Sequence, residues 1–215
     1  MQNAKIIQNL TEDQIISLSL TKPFKYASGM LAPIYTDFRL TIANPQLRDM
    51  IASGLAEIIK KYYPNVTVIG GVATAGIPHA AWVAQKLNLP LIYVRSKAKD
   101  HGANKQIEGR LSKTDQVVLI DDLISTGGSV LQAVQAVRAA GYQVAGVAAI
   151  YTYQFPDAEQ NFSEADTTLQ PLLTYKDVIQ QEFDRGQISQ AQFDYLSAWH
   201  QDPWNWLKQE ESNEF

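Results

Sequence analysis

Two adjacent carboxylates, Asp121 and Asp122, close a fully apolar run, Val117-Val118-Leu119-Ile120. Leu123 and Ile124 follow, and then Ser125-Thr126-Gly127-Gly128-Ser129. Residues of these types in this order could hold a phosphate and a polyhydroxyl sugar at one point. The hydroxyls donate to an anion, and glycine lets backbone N–H groups approach it without a Cβ in the way. A helix starting just beyond would add unpaired N–H groups and the positive end of its dipole. Two neighbouring carboxylates repel unless hydroxyls or a cation satisfy them. An ordinary strand-to-helix turn is the plainer alternative, but the acid pair directly before a hydroxyl-rich loop favours ligand binding. No G-x-G-x-x-G opens a helix here, and no Gly-Lys-Ser/Thr is present.

Two further segments could serve the same ligand. Gly70-Gly71-Val72-Ala73-Thr74-Ala75-Gly76 has glycines at both ends, which would fold the backbone tightly and expose amides. Arg95, Lys97, Lys99 and His101 put four cations or potential cations within seven residues. Such a run is usually a solvated surface. Here it sits in a long polar stretch with Gly102 and Gly109 as flexible points, the composition of a lid.

The elements that must position these residues follow from periodicity. The apolar run lacks alternation, so it predicts a strand buried on both faces, as in a parallel sheet. Val130, Val134 and Val137 predict the helix after the loop, with Gly141 ending it. Asn44-Pro45 caps a helix reaching about residue 63. Strands are expected over 66–70, 89–95 and 143–152, and helices over much of 3–20, over 77–87, and around 175–185 and 189–200. An extended stretch with turns covers 24–40. Alternating strands and helices imply one α/β domain with a central parallel sheet flanked by helices.

With 215 residues the chain can bury one large core. A net charge of −4 argues against a basic nucleic-acid surface. There is no cysteine, which excludes disulfides and cysteine metal sites and suits a reducing, cytoplasmic setting. No apolar run approaches membrane-spanning length, and the first ten residues lack a signal-peptide core. No His, Asp or Glu spacing suggests a dedicated zinc or calcium site. His79 and His200 are expected to pack rather than react.

Residues 121–129 resemble the phosphoribosyl-pyrophosphate (PRPP) motif of type I phosphoribosyltransferases. That resemblance implies the type I fold, with a small N-terminal hood over about residues 1–40 and the core and C-terminal helices over 41–215. It assigns PRPP binding to Asp121, Asp122, Leu123, Ile124, Ser125, Thr126, Gly127, Gly128 and Ser129. Thr74, Ala75 and Gly76 fall in the family's pyrophosphate loop, where relatives often have a lysine in place of Ala75. The run Arg95-Ser96-Lys97-Ala98-Lys99-Asp100-His101-Gly102 is similar to the mobile loop of orotate phosphoribosyltransferases, so the resemblance carries Arg95, Lys99 and His101 over as PRPP-binding residues. In that family the loop closes over the neighbouring subunit's site, which implies a homodimer.

The segment from Tyr26 to Tyr35 resembles the family's base pocket. Backbone groups near Ile34 and Tyr35 would face a flat pyrimidine, with ring stacking available. Ser125 is the side-chain candidate for orotate, and it argues against a 6-oxopurine substrate, for which the family's enzymes typically have Asp there. Two departures stand out: Ala27 replaces a lysine of some relatives, and Tyr151-Thr152-Tyr153 stands where some place an arginine. The resemblance implies a pentosyltransferase of pyrimidine (UMP) biosynthesis. It would move ribose 5-phosphate from PRPP to orotate, with Mg²⁺ carried mainly by PRPP and with Lys99, His101, Asp121 and Asp122 as catalytic residues. Two alternatives stay open at this point. One is a phosphoribosyltransferase for another base; the other is a PRPP-sensing regulator, against which the acidic charge counts.

Overall fold

The computed structural model describes residues 2–19, 21–26, 29–97 and 106–205. Lys99 and His101 lie outside the described residues, as do Ala27 and Trp206. Helix α1 (Gln2–Glu12) is followed by β1 (Ile16–Leu18), β2 (Phe24–Lys25), β3 (Leu31–Ala32) and β4 (Ile34–Thr36). A 3₁₀ helix (Phe38–Ala43) leads into α2 (Pro45–Tyr62). Next come β5 (Val68–Val72), α3 (Gly76–Leu87), β6 (Leu91–Val94), β7 (Ile107–Glu108), β8 (Gln116–Ile124), α4 (Gly128–Ala139) and β9 (Gln143–Thr152). The chain continues through α5 (Pro156–Glu164), β10 (Leu169–Thr174), α6 (Tyr175–Asp184) and α7 (Gln190–Gln201).

The central sheet runs β10-β9-β8-β5-β6-β7. Its pairs are parallel except for β7, which closes one edge antiparallel to β6. Side chains of β8 alternate between two cores, so the unbroken apolar run is satisfied on both faces. Val118 and Ile120 join the core to which α1, α2, α3, α6 and α7 contribute. Val117 and Leu119 pack with Val130, Val134 and Val137 of α4 and with Phe162 of α5. Asn44 caps α2 as its sequence predicts: its Oδ1 accepts from the N–H groups of Gln46 and Leu47, and Pro45 fills the first turn.

Several boundaries move. The helix expected over much of 3–20 stops at Glu12; Gln14 is left-handed at φ 55°, and Ile16 to Leu18 pair with β4. Strand β5 runs through Gly70 and Gly71 to Val72, so these glycines do not open the loop. Their missing side chains serve packing instead. A Cβ on Gly70 would lie 2.6 Å from Leu119 Cδ2, and one on Gly71 would lie 2.7 Å from Ile77 Cα. Strand β8 continues past the acids to Ile124.

Three elements carry weak sequence signals. Strand β7 is two residues long in a polar stretch, and α5 buries only Ala158 and Phe162. Strand β10 contains Pro171, which reads as a breaker but is tolerated on an edge strand.

Candidate active site

From β5 the chain crosses through α3 to β6 on one side; from β8 it crosses through α4 to β9 on the other. The crevice between the carboxyl ends of β5 and β8 is therefore the point where strand order reverses, the place where open α/β sheets bind ligands. Pairing of β5 with β8 ends at Gly71 and Ile120, while β8 stays paired with β9 as far as Ile124. Asp121 and Asp122 thus stand beyond the end of β5, next to the turn holding Thr74 and Ala75. Helix α3 starts at Gly76, pressed so closely against β8 that a Cβ there would overlap the Ile120 carbonyl oxygen. Its glycine serves this close approach of helix to strand.

The acid pair is electrostatically loaded. Asp121 is 8% exposed and Asp122 half-buried, and the Asp122 N–H donates to Asp121 Oδ1 at 3.1 Å. Burial, with the neighbouring charge added, pushes the Asp121 carboxyl up to about 8. Burial also raises Asp122, while hydrogen bonds to its carboxylate and the charge of Arg39 oppose the rise. Hydroxyl donors from a sugar would relieve both groups.

Beyond the pair, Ile124 turns its side chain into the core and gives its carbonyl to the Tyr153 N–H at 3.0 Å. Leu123 packs partly buried against the other core. Ser125 is half-buried, and Thr126, Gly128 and Ser129 are exposed at the start of α4. Gly127 takes φ +80°, and a Cβ on it would stand 2.6 Å from the Phe162 ring. The loop is braced from α5, where Asn161 Nδ2 donates to the Thr126 carbonyl at 2.9 Å.

Arg95 leaves the end of β6 at the same rim. One small cavity is lined by Ala73, Arg95, Ser96 and Ser129, which brings three of the sequence-selected segments together. Arg95 Nη1 is buried without a hydrogen-bond partner among the described residues, and Glu108 Oε1 is 3.9 Å away. A buried cationic donor of this kind suits an anion. A larger cavity of about 400 Å³ lies at the far end of α4, around Ala136, Ala140 and Tyr142, away from the acids.

The base-pocket residues divide by face. Ile34 is fully buried, and its carbonyl accepts from Tyr26 Oη at 2.6 Å. Tyr35 is 42% exposed, with its ring 5.6 Å from that of Phe24.

A family model for the phosphoribosyl transferase domain matches residues 41–171. The orotate phosphoribosyltransferase of Lactobacillus johnsonii is 58% identical over 208 residues, 97% of this chain and 98% of that protein. This chain belongs to the orotate phosphoribosyltransferase family. The relative from Levilactobacillus brevis is 56% identical over 192 residues, 89% of this chain and 91% of that protein. The crystal structure of the orotate phosphoribosyltransferase from Aeropyrum pernix matches with a TM-score of 0.73 at 26% identity, covering 86% of this chain and 99% of that one.

In this orotate phosphoribosyltransferase family member, Tyr151 and Tyr153 are core residues. Tyr153 Oη lies 2.8 Å from Tyr26 Oη and 3.1 Å from Thr36 Oγ1, so it ties the N-terminal strands to β9. Helix α7 reinforces that tie. Trp199 Nε1 donates to the Leu31 carbonyl at 3.1 Å, and His200 Nε2 lies 2.5 Å from the Tyr153 carbonyl. His79 is fully buried, 3.2 Å from Thr41 Oγ1, and burial lowers it to about 4. Both histidines pack, as their sequence context implies. Sequence reasoning passed over Asn161 and the Asp37–Arg39 ion pair, and met Tyr153 only as a departure from relatives with an arginine there. Of these, only Asp37-Phe38-Arg39 carried a signal, an acid and a base flanking the 3₁₀ start just after Tyr35. No helix among the described residues is long and apolar enough to cross a membrane.

Proposed function

We propose that this chain transfers ribose 5-phosphate from PRPP to orotate, forming orotidine 5′-phosphate and pyrophosphate in pyrimidine biosynthesis. The observation that carries the reading is the acid pair at the switch point, set directly before the Ser125 to Ser129 loop and beside the α3 turn. Asp121 and Asp122 would accept hydrogen bonds from the ribose hydroxyls. Thr126, Gly127, Gly128, Ser129 and the start of α4 would bind the 5′-phosphate. Thr74, Ala75 and Gly76 would meet the pyrophosphate through backbone N–H groups, with Arg95 supplying charge. Lys99 and His101 would add theirs from the loop, reaching the partner's site in a homodimer.

The N1–C1′ bond forms as the bond from C1′ to the pyrophosphate oxygen breaks; the electron pair leaves on pyrophosphate, and the N1 proton passes to solvent. Displacement at an anomeric carbon develops positive charge on the ribose ring. Once ribose hydroxyls donate to it, the ionised acid pair would favour that charge, so catalysis is mostly positioning and electrostatics. The adjacent Asp121 and Asp122 carboxylates supply oxygen donors of the kind Mg²⁺ takes, and the ion would be held chiefly through substrate phosphates. When bound, the ion would neutralise the leaving pyrophosphate. Ile34, Tyr35 and Ser125 would hold the pyrimidine. We place the enzyme in the cytoplasm, as a single domain with residues 1–40 as its hood.

The test is base selection. The protein is mixed with PRPP, Mg²⁺ and either orotate, adenine or xanthine, and base absorbance is followed. Loss of orotate alone is expected; turnover of adenine or xanthine with orotate inert would overturn the assignment.

A further inference from the structure

Orotate carries its carboxylate on C6, the ring atom next to N1. A site that joins N1 to C1′ must hold that anion close to the carboxylates that hold the ribose. Like charges so near each other repel, so a cation has to stand between the base pocket and the acid pair. The described residues place Arg39 there. It lies in the 3₁₀ helix that follows β4, four residues past Tyr35, and this helix packs against β8, the strand of the acid pair.

Asp37 grips one edge of the Arg39 guanidinium. Nε donates to Asp37 Oδ1 at 2.6 Å and Nη2 donates to Oδ2 at 2.7 Å. The Arg39 backbone N–H donates to the same carboxylate at 3.2 Å. A guanidinium has five N–H donors in a planar fork, of which this grip uses two. The remaining edge, Nη1 with the second Nη2 hydrogen, has the geometry that receives a carboxylate through two parallel bonds. The side chain is 67% exposed, so that edge is open to a ligand. Its charge acts on Tyr35 on the base side and on Asp122 on the ribose side.

We propose that Arg39, oriented by Asp37, binds the C6 carboxylate of orotate and makes the site select a carboxylated pyrimidine over an uncharged one. This rests on the orotate reading above. Arg39 is the residue that touches substrate, and Asp37 is a positioning residue. The Arg39 side chain is exposed, and Asn at position 37 keeps an oxygen to cap the 3₁₀ helix, so Arg39→Gln and Asp37→Asn leave the fold intact.

Orotidine 5′-phosphate and uridine 5′-phosphate differ only in that carboxylate. Calorimetric titration of both into the wild type, Arg39→Gln and Asp37→Asn isolates the contact. Arg39→Gln is expected to lose about ten- to hundredfold in affinity for orotidine 5′-phosphate, the worth of a charged hydrogen-bonded pair, with uridine 5′-phosphate unchanged. The KM for orotate should rise in step while the KM for PRPP stays within about twofold. Asp37→Asn should lose less, through misorientation of the guanidinium. An unchanged preference in Arg39→Gln overturns the proposal, as does an equal loss for both nucleotides. A wild type that neither turns over orotate nor prefers orotidine 5′-phosphate sinks the orotate reading itself, a result visible before any variant is made.

Discussion

Asp121→Asn should make the protein more stable while disabling it. The carboxyl is 8% exposed and sits beside a second acid, and its folded pKa is pushed up to about 8. An unfolded aspartate titrates near about 3.9. Because the folded value is the higher one, the protonated carboxyl contributes its full stability below about pH 4, and that contribution is lost as pH rises through the folded pKa. Each displaced unit corresponds to about 1.4 kcal/mol, which caps the penalty of the ionised site at about 6 kcal/mol. Two carboxylates share that penalty, so about 2 kcal/mol should be recovered by the neutral amide above pH 8. The amide oxygen can still accept from the Asp122 N–H, so the local geometry survives. For a chain of this length the gain is a rise in Tm of about 4–8 °C. Differential scanning calorimetry at pH 5 and pH 8.5 measures it. The gain should appear in full at pH 8.5 and shrink to roughly a quarter of that at pH 5, while kcat/KM falls by at least about a hundredfold. A lower Tm than wild type at pH 8.5, or an equal gain at both pH values, would refute the electrostatic account of the pair.

The same linkage predicts that PRPP binds more tightly as pH rises from 7 to 9, by roughly three- to tenfold per unit below the pair's raised pKa; a flat KM for PRPP would contradict it. Tyr153→Phe removes the hydroxyl shared by Tyr26 and Thr36. It should cost about 1 kcal/mol in urea unfolding and raise the KM for orotate but not for PRPP. Gly76→Ala drives a methyl group into the Ile120 carbonyl and should cost about 3 kcal/mol or more, seen as a large fall in the unfolding midpoint. Lys99→Ala should keep the wild-type Tm and lose most of the turnover number.

Much of this fold was legible because a few residues carry strong local signals. Asn44-Pro45 set the start of α2, the Val130, Val134 and Val137 stripe set α4, and the apolar run before Asp121 set β8 as a central strand. What escaped depends on tertiary context. Strand β1 is too short to show a period and exists because β4 lies beside it. Strand β10 hides behind Pro171, harmless only because an edge position needs no N–H there. The glycines of β5 read as loop formers because a sequence cannot say that Leu119 and Ile77 crowd them.

At the site, sequence supplied the acids and the loop after them but not what braces them. Asn161 and Phe162 come from a helix with almost no apolar face, and Tyr153 is joined to Tyr26 across 127 positions of the chain. Arg39 gains its place from tertiary structure, since it is the 3₁₀ helix packed against β8 that carries it toward the acid pair.

The central claim is that the acid pair and its loops form a PRPP site whose pyrophosphate is displaced by orotate. It is tested most directly by quantifying both products from one reaction of protein, Mg²⁺, PRPP and orotate. The account predicts orotidine 5′-phosphate and pyrophosphate in equal amounts from the wild type, and neither from the Asp121→Asn/Asp122→Asn double variant. Pyrophosphate released without orotidine 5′-phosphate, or undiminished turnover in the double variant, would contradict it.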